Sequence, residues 1–330
     1  MTTSNDTTVL VTGGSGYLAT RLITDLLLAG TPVRTTVRSL DREAAVREAV
    51  HRGEADDAAL TFAVASLTSD DGWADAAAGT AGVYHLASPM IHSQDPDDVV
   101  PPARDGALRV LRAARDAGVP RVVLTSSFAA VGYSPKAPNS AGAREYDESD
   151  WTAPDTPELP AYPLSKAVAE RAAWDFIEAE GGDTELVVIN PTWIAGPTLT
   201  SDARSSLQVF TAMLGGQMPL APRQRFGVAD VRDVSSAHIA AMTTLRAAGK
   251  RYLVLADGAT ISWLEVANIL HARFGALAQK APTDEVPGDE LAPLVIHNDR
   301  SKAELGMTYR PAEQTIVETV ESMRELGMLG

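Results

Sequence analysis

Short apolar runs alternate along this chain with longer stretches in which apolar residues recur every three or four positions. Residues 9–13 (VLVTG) read as a buried strand, and 17–28 as an amphipathic helix closed by Gly30. A second strand is predicted at 33–37 and a helix with interleaved charges at 41–50. Further strands fall at 60–64, 82–86 and 121–125, the last two separated by a long helix over 97–117. A helix at 162–180 and a strand at 185–190 complete the pattern. The strands are almost continuously apolar, which means a parallel sheet covered by helices on both faces, an α/β doubly wound arrangement.

After Pro191 the rhythm loosens into short segments broken by proline and glycine. Helices are expected near 262–274 and 312–325, as part of a smaller, mostly helical unit. Residues 226–252 read strand–helix–strand again and are expected to return to the sheet. The stretch 132–160, rich in Pro, Ser, Asp and Glu, reads as a long loop, a kind that is usually functional or mobile. The expected division is therefore 1–190 with 226–255 as one domain, and 191–225 with 256–330 as the smaller one.

Composition narrows the class. At 330 residues the chain suits about two domains. Its 28 basic against 43 acidic residues leave a net charge of −15, which argues against nucleic-acid binding through a basic face but leaves room for a small basic pocket for an anionic cofactor. It has no cysteine, which removes disulfides, thiolate nucleophiles and zinc–thiolate sites together. No apolar run reaches the ~18 residues of a membrane span, and the polar start MTTSNDTT is no secretory signal. A cytoplasmic protein is expected.

The first strand runs into Thr12-Gly13-Gly14-Ser15-Gly16-Tyr17-Leu18-Ala19, and a helix follows at once. In this position Gly13 allows the tight turn, Gly16 lets a pyrophosphate approach the backbone, and Ala19 permits close helix–strand packing. The helix N-terminus then offers free N–H groups to the phosphates. A P-loop lysine and the spacing of a nucleophile elbow are both missing. Where NAD sites carry an acid at the end of the second strand, this chain has Thr36-Val37-Arg38-Ser39. A guanidinium there pairs with a 2′-phosphate, which selects NADP(H).

Tyr162-Pro163-Leu164-Ser165-Lys166 opens the helix before the last strand, and residues four apart share a helix face. An ammonium ~5 Å from a phenol, at an effective dielectric of ~20, would lower the phenol pKa by roughly two units. That brings Tyr162 toward the range of an effective general acid. Pro163 disfavours helical angles at Tyr162 itself. Thr125-Ser126-Ser127 ends a strand at the carboxyl edge where open α/β sheets bind ligands, so a Ser127 hydroxyl there can hold a carbonyl oxygen against Tyr162. The plain alternative for Ser127 is a helix cap.

With these three features in this order, the chain resembles an extended short-chain dehydrogenase/reductase nearly end to end. It is most similar to the dihydroflavonol 4-reductase-like carbonyl and aldehyde reductases. The stretches that carry the likeness are VTGGSGYLA, TVRS, VYHLASPM, VVLTSSFAAV, YPLSKAVAERAAWDF and INPTWIAGP. The resemblance implies a Rossmann-type sheet and a catalytic triad of Ser127, Tyr162 and Lys166, with Tyr162 donating the proton. It places Gly13, Gly16, Tyr17 and Leu18 at the pyrophosphate and Arg38 at the 2′-phosphate. Leu86, Ala87 and Ser88 would pass the middle of the cofactor, with Thr125 and Ser126 beside them. Pro191, Thr192 and Trp193 would wall the nicotinamide, with Ser206 as a further contact. Substrate would meet Ser88, Met90, Phe128 and Trp193. Where the family usually has Asp-Leu to grip adenine, this chain has Ser66-Leu67.

The expected function is NADPH-dependent reduction of a hydrophobic or aromatic ketone or aldehyde, by a monomer or homodimer acting on a small molecule. One alternative is a sugar-nucleotide epimerase or dehydratase, although the dehydratases' Asp-Glu pair is replaced here by Phe128-Ala129-Ala130. A non-catalytic NADP-binding regulator is the other; it would not need a tyrosine–lysine pair. The six histidines show no metal-ligand spacing. His85 reads as structural, Asp233 as a cap beside Asp230, and Trp151, Trp174 and Trp263 as packing.

Overall fold

A computed structural model describes residues 8–89, 93–201 and 206–329. The chain runs β1 (Val9–Val11), α1 (Tyr17–Leu28), β2 (Val33–Val37), α2 (Glu43–Arg52), β3 (Leu60–Val64), α3 (Trp73–Ala77) and β4 (Gly82–His85). It continues through α4 (Pro96–Asp116), β5 (Arg121–Thr125), β6 (Arg144–Tyr146), α5 (Ala161–Glu180), β7 (Glu185–Pro191), β8 (Trp193–Ala195) and α6 (Gln208–Leu214). The last part holds β9 (Arg225–Phe226), β10 (Val228–Asp230), α7 (Val231–Thr243), β11 (Arg251–Val254) and β12 (Ile261–Ser262). Then come α8 (Trp263–Phe274), β13 (Leu294–Ile296), α9 (Asp299–Leu305) and α10 (Ala312–Glu325).

Seven parallel strands form the central sheet in the order β3-β2-β1-β4-β5-β7-β11. Successive side chains point to opposite faces, so one strand feeds two cores. Val122 and Leu124 of β5 join Leu10, Val83, Leu186 and Val188 under the face that also holds buried residues of α4 and α5. Val123 points the other way, with Val11, Val187 and Ile189, toward buried residues of α1 and α7. Both faces are covered, which is why these strands carry no polar alternation. The order reverses between β1 and β4, so the ligand crevice of the sheet opens at their carboxyl ends.

Several expected elements are redrawn. A 3-10 turn (Leu40–Arg42) precedes α2, so the expected 41–50 helix begins later and ends at Arg52. Of the 226–252 stretch, β11 joins the central sheet; β10 pairs with β8, and β9 with β12. The 132–160 loop contains β6, which pairs in parallel with the distant β13. Tyr162 lies inside α5 despite Pro163, because Pro160 and Pro163 both fall in or before the first turn, where proline is tolerated.

Candidate active site

The glycine turn sits at the reversal point. Gly13 has φ +73°, and a Cβ there would lie 3.0 Å from the Ala87 Cα beyond β4. A Cβ on Gly14 would collide with the Thr35 hydroxyl at 2.2 Å. Only glycine lets the β1 turn lie this close to β2 and β4. Thr12 fastens the same point: its Oγ1 accepts from the Leu86 and Ala87 N–H groups, both at 3.0 Å. Its own proton therefore goes to His85 Nδ1 at 2.9 Å, leaving the ring proton on Nε2. Burial holds His85 neutral, with a pKa lowered to about 3.

Gly16 caps α1 in an extended conformation with no side chain on the first-turn N–H groups, the arrangement an anion needs. The Tyr17 and Leu18 side chains are buried, and Tyr17 donates its hydroxyl to Gly196 O at 2.6 Å. What these two residues offer a pyrophosphate is backbone. Arg38 is exposed at the end of β2, and its side chain makes no hydrogen bond or ion pair among the described residues. Arg42, which sequence reasoning missed, is exposed and equally unengaged one turn on. A dinucleotide with a 2′-phosphate fits this cradle and this pair of cations. Ser66 turns its hydroxyl to Thr68 at 3.0 Å, and Leu67 packs over Gly106 of α4.

At the far side of the crevice, Ser127 caps a buried turn (Phe128–Ala130), accepting from the Ala129 N–H at 3.1 Å. The same hydroxyl lies close enough to the Tyr162 phenol to pull its pKa downward. Lys166 lies one turn along α5, its Nζ 5.9 Å from the Tyr162 ring centre and donating to Ser88 Oγ at 3.1 Å. The expected lowering of the phenol pKa by the lysine is not found. Burial raises Tyr162 above its ordinary value, with the Ser127 hydrogen bond pulling it back; the ring is 54% exposed, so the push is partial. The ammonium is turned to Ser88, and burial lowers Lys166 itself to about 8, with the Glu170 carboxylate opposing the drop. The phenol is thus held protonated.

The remaining expected residues are placed as follows. Thr125 lines the cavity beside Lys166, but its hydroxyl is taken up: it donates to His238 Nε2 at 2.7 Å, since His238 Nδ1–H donates to Val234 O at 2.7 Å. Ser126 Oγ is buried without a partner among the described residues and faces a cavity of about 30 Å³ beside Lys166. Phe128 is buried, edge-on to Tyr146 at 5.7 Å, with the more exposed Tyr133 ring 6.3 Å away. Pro191 and Thr192 are buried where β7 ends. Trp193 heads an aromatic cluster with Phe210, Phe226 and Trp263 at 5.0–5.3 Å, and its Nε1–H donates to Ser206 O at 3.3 Å. The Ser206 hydroxyl in turn donates to Ile194 O. Met90 lies outside the described residues.

Asp230, not Asp233, caps α7; Asp233 instead accepts from the Arg310 N–H at 2.8 Å and pairs with its guanidinium. Among the described residues no group of three His, Asp or Glu side chains could hold a metal, and no helix is long and apolar enough to cross a membrane.

Residues 9–254 match the NAD dependent epimerase/dehydratase family. Cinnamoyl-CoA reductase 1 of Petunia hybrida is 35% identical, over 97% of this chain and 93% of its own length. An anthocyanidin reductase ((2S)-flavan-3-ol-forming) of Vitis vinifera is 32% identical, over 98% and 96%. Among solved structures, yeast methylglyoxal/isovaleraldehyde reductase Gre2 complexed with NADPH superposes with a TM-score of 0.82 at 25% identity, covering 97% of this chain and 99% of that one.

Proposed function

The chain belongs to the NAD dependent epimerase/dehydratase family, among the extended short-chain dehydrogenase/reductases of the dihydroflavonol 4-reductase-like group, and on that premise we propose that it uses NADPH to reduce a hydrophobic or aromatic ketone or aldehyde to an alcohol. The observation that carries the reading is Ser127, Tyr162 and Lys166 brought together at the carboxyl edge of the sheet, the Lys166 Nζ 5.9 Å from the Tyr162 ring centre and the Ser127 hydroxyl acting on the phenol. The named relatives are all reductases, and the yeast one is solved with NADPH.

The glycine turn and the N-terminus of α1 would hold the pyrophosphate, and Arg38 with Arg42 the 2′-phosphate. When bound, NADPH supplies the hydride for the carbonyl carbon. Ser127 orients the carbonyl oxygen by a hydrogen bond. Tyr162, neutral because of its surroundings, gives that oxygen its proton. Lys166 would hold the nicotinamide ribose, and its ammonium offsets the negative charge left on the phenolate once the proton is given up. The aromatic cluster headed by Trp193 favours an apolar substrate body. In this reading 1–190 with 226–255 bind cofactor, 191–225 with 256–330 shape the substrate side, and the enzyme works in the cytoplasm.

The family name also covers epimerases and dehydratases. Against that reading, the turn after Ser127 is Phe128-Ala129-Ala130, buried and without a carboxylate. The test is NADPH oxidation against aryl and aliphatic ketones, aldehydes and keto esters, with UDP-sugars as the competing arm. Turnover of UDP-sugars without any carbonyl reduction would overturn the proposal.

A further inference from the structure

Tyr162, Lys166, Glu170 and Trp174 follow one another at intervals of four along α5, so they lie on one helix face. The third of them, Glu170, is 1% exposed and ion-paired with Arg251. Its Oε1 accepts from Arg251 Nε at 2.5 Å and from Trp174 Nε1 at 3.3 Å, and its Oε2 accepts from Asn190 Nδ2 at 2.7 Å. Arg251 is held in turn by the Glu148 and Asp150 carbonyls and lies 3.6 Å from the centre of the Trp151 ring. A buried ion pair contributes little net stability compared with apolar residues of the same size. Its place directly behind the site therefore asks for another role.

Two connections lead from it to the site. Asn190 Nδ2 also donates to Ser127 O at 3.1 Å, so a single amide joins the Glu170 carboxylate to the turn that carries Ser127. Glu170 and Lys166 also line the same cavity of about 30 Å³, large enough for one water, into which the unpartnered Ser126 hydroxyl faces. The groups around Lys166 are Ser88 and His85 from the end of β4, Ser126 from β5, Tyr162 and Glu170 from its own helix, and the alanines of α4. His85 is neutral, so Glu170, with Arg251 behind it, is the anion of this group.

We propose that Glu170 is a positioning residue for the reaction: its carboxylate is the counter-ion that keeps Lys166 an ammonium and, through Asn190, the strut that holds Ser127 against Tyr162. The proposal rests on the reductase reading for its consequence in catalysis, but not for its physical test. Burial alone pulls Lys166 downward, and Glu170 is what opposes it.

The test reads the lysine itself. The chain has five lysines, so 13Cε-lysine labelling resolves Lys166 in the cofactor-free protein, with Lys166→Met to identify its signal. Glu170→Gln leaves Arg251 buried and unpaired and is expected to destabilise the fold. Glu170→Gln/Arg251→Met replaces the pair by neutral groups, a change buried pairs tolerate, and its titration is decisive. The Lys166 midpoint, near 8 in the parent, should fall by about one unit in the double variant and further in Glu170→Gln, where the bare guanidinium adds repulsion. Asn190→Ala should leave that midpoint in place and lower kcat about fivefold to tenfold with cofactor affinity kept. A midpoint within a few tenths of the parent in the double variant overturns the counter-ion role, and parental kcat in Asn190→Ala overturns the strut. Because the titration needs neither cofactor nor substrate, its failure leaves the reductase reading standing.

Discussion

The Lys166 ammonium donates to the Ser88 hydroxyl at 3.1 Å, across the crevice from its own helix to the segment after β4. That bond keeps the cation off the phenol and places it at the edge of the sheet. Ser88→Ala should loosen the lysine without unfolding anything, since the side chain is half-buried. The hydrogen bond itself is worth ~1.5–3 kcal/mol, and the part of it that pre-positions the lysine for the cofactor should appear as NADPH affinity weakened by up to roughly tenfold. Equilibrium binding by fluorescence checks it, and an unchanged dissociation constant counts against the role given to this contact.

Tyr162→Phe removes one oxygen and keeps the ring. The fold and NADPH binding should survive, and kcat should fall by about 10²–10⁴, the usual worth of a general acid. A variant that binds NADPH and turns over at the parental rate would sink the assignment.

The regular part of the fold was open to reading because its signals are local. α1, β2, β3 and β5 end where their apolar periodicity ends. The five-residue α3 is too short to show a helical period, and β6 owes its form to β13, far along the chain. In the site, Tyr162 and Lys166 could be paired because four residues make one turn. Glu170 could have been suspected as the acid four further along the same face. Its partners could not, since Asn190 and Arg251 arrive from β7 and β11. The protonation of Tyr162 was misjudged for the same reason: spacing gives distance along a helix, whereas burial and the turn of the ammonium toward Ser88 depend on the whole fold. Phe128 was placed in the pocket by its neighbour Ser127, yet its ring packs inward against Tyr146.

Among the described residues Arg38 and Arg42 stand unengaged beside the cradle, in a chain of net charge −15, so cofactor choice should rest on them. Arg38→Asp should cost NADPH ~1.5–3 kcal/mol or more of binding, and narrow the preference over NADH by roughly ten- to a hundredfold. Arg38→Asp/Arg42→Ala should narrow it further. Comparing kcat/KM for the two cofactors decides the matter; a parent enzyme that uses NADH as well as NADPH contradicts the assignment.

Two buried histidines should make the fold acid-sensitive. Burial holds His85 at about 3 and His238 at about 4, against an ordinary value near 6.5. Between those values the unfolded chain binds protons that the folded one refuses, so stability rises with pH in this window. The contribution is fully present above about 6.5 and is lost as pH falls below it. At pH 5 each histidine should cost roughly 2 kcal/mol relative to pH 7.5. Glutamine at 238 can still accept the Thr125 proton and does not titrate, so His238→Gln should flatten the slope between pH 6.5 and 5 by about half. Urea midpoints at matched ionic strength measure it. Equal parental stability at pH 7.5 and pH 5, or a slope untouched by His238→Gln, would show that these rings are not held neutral.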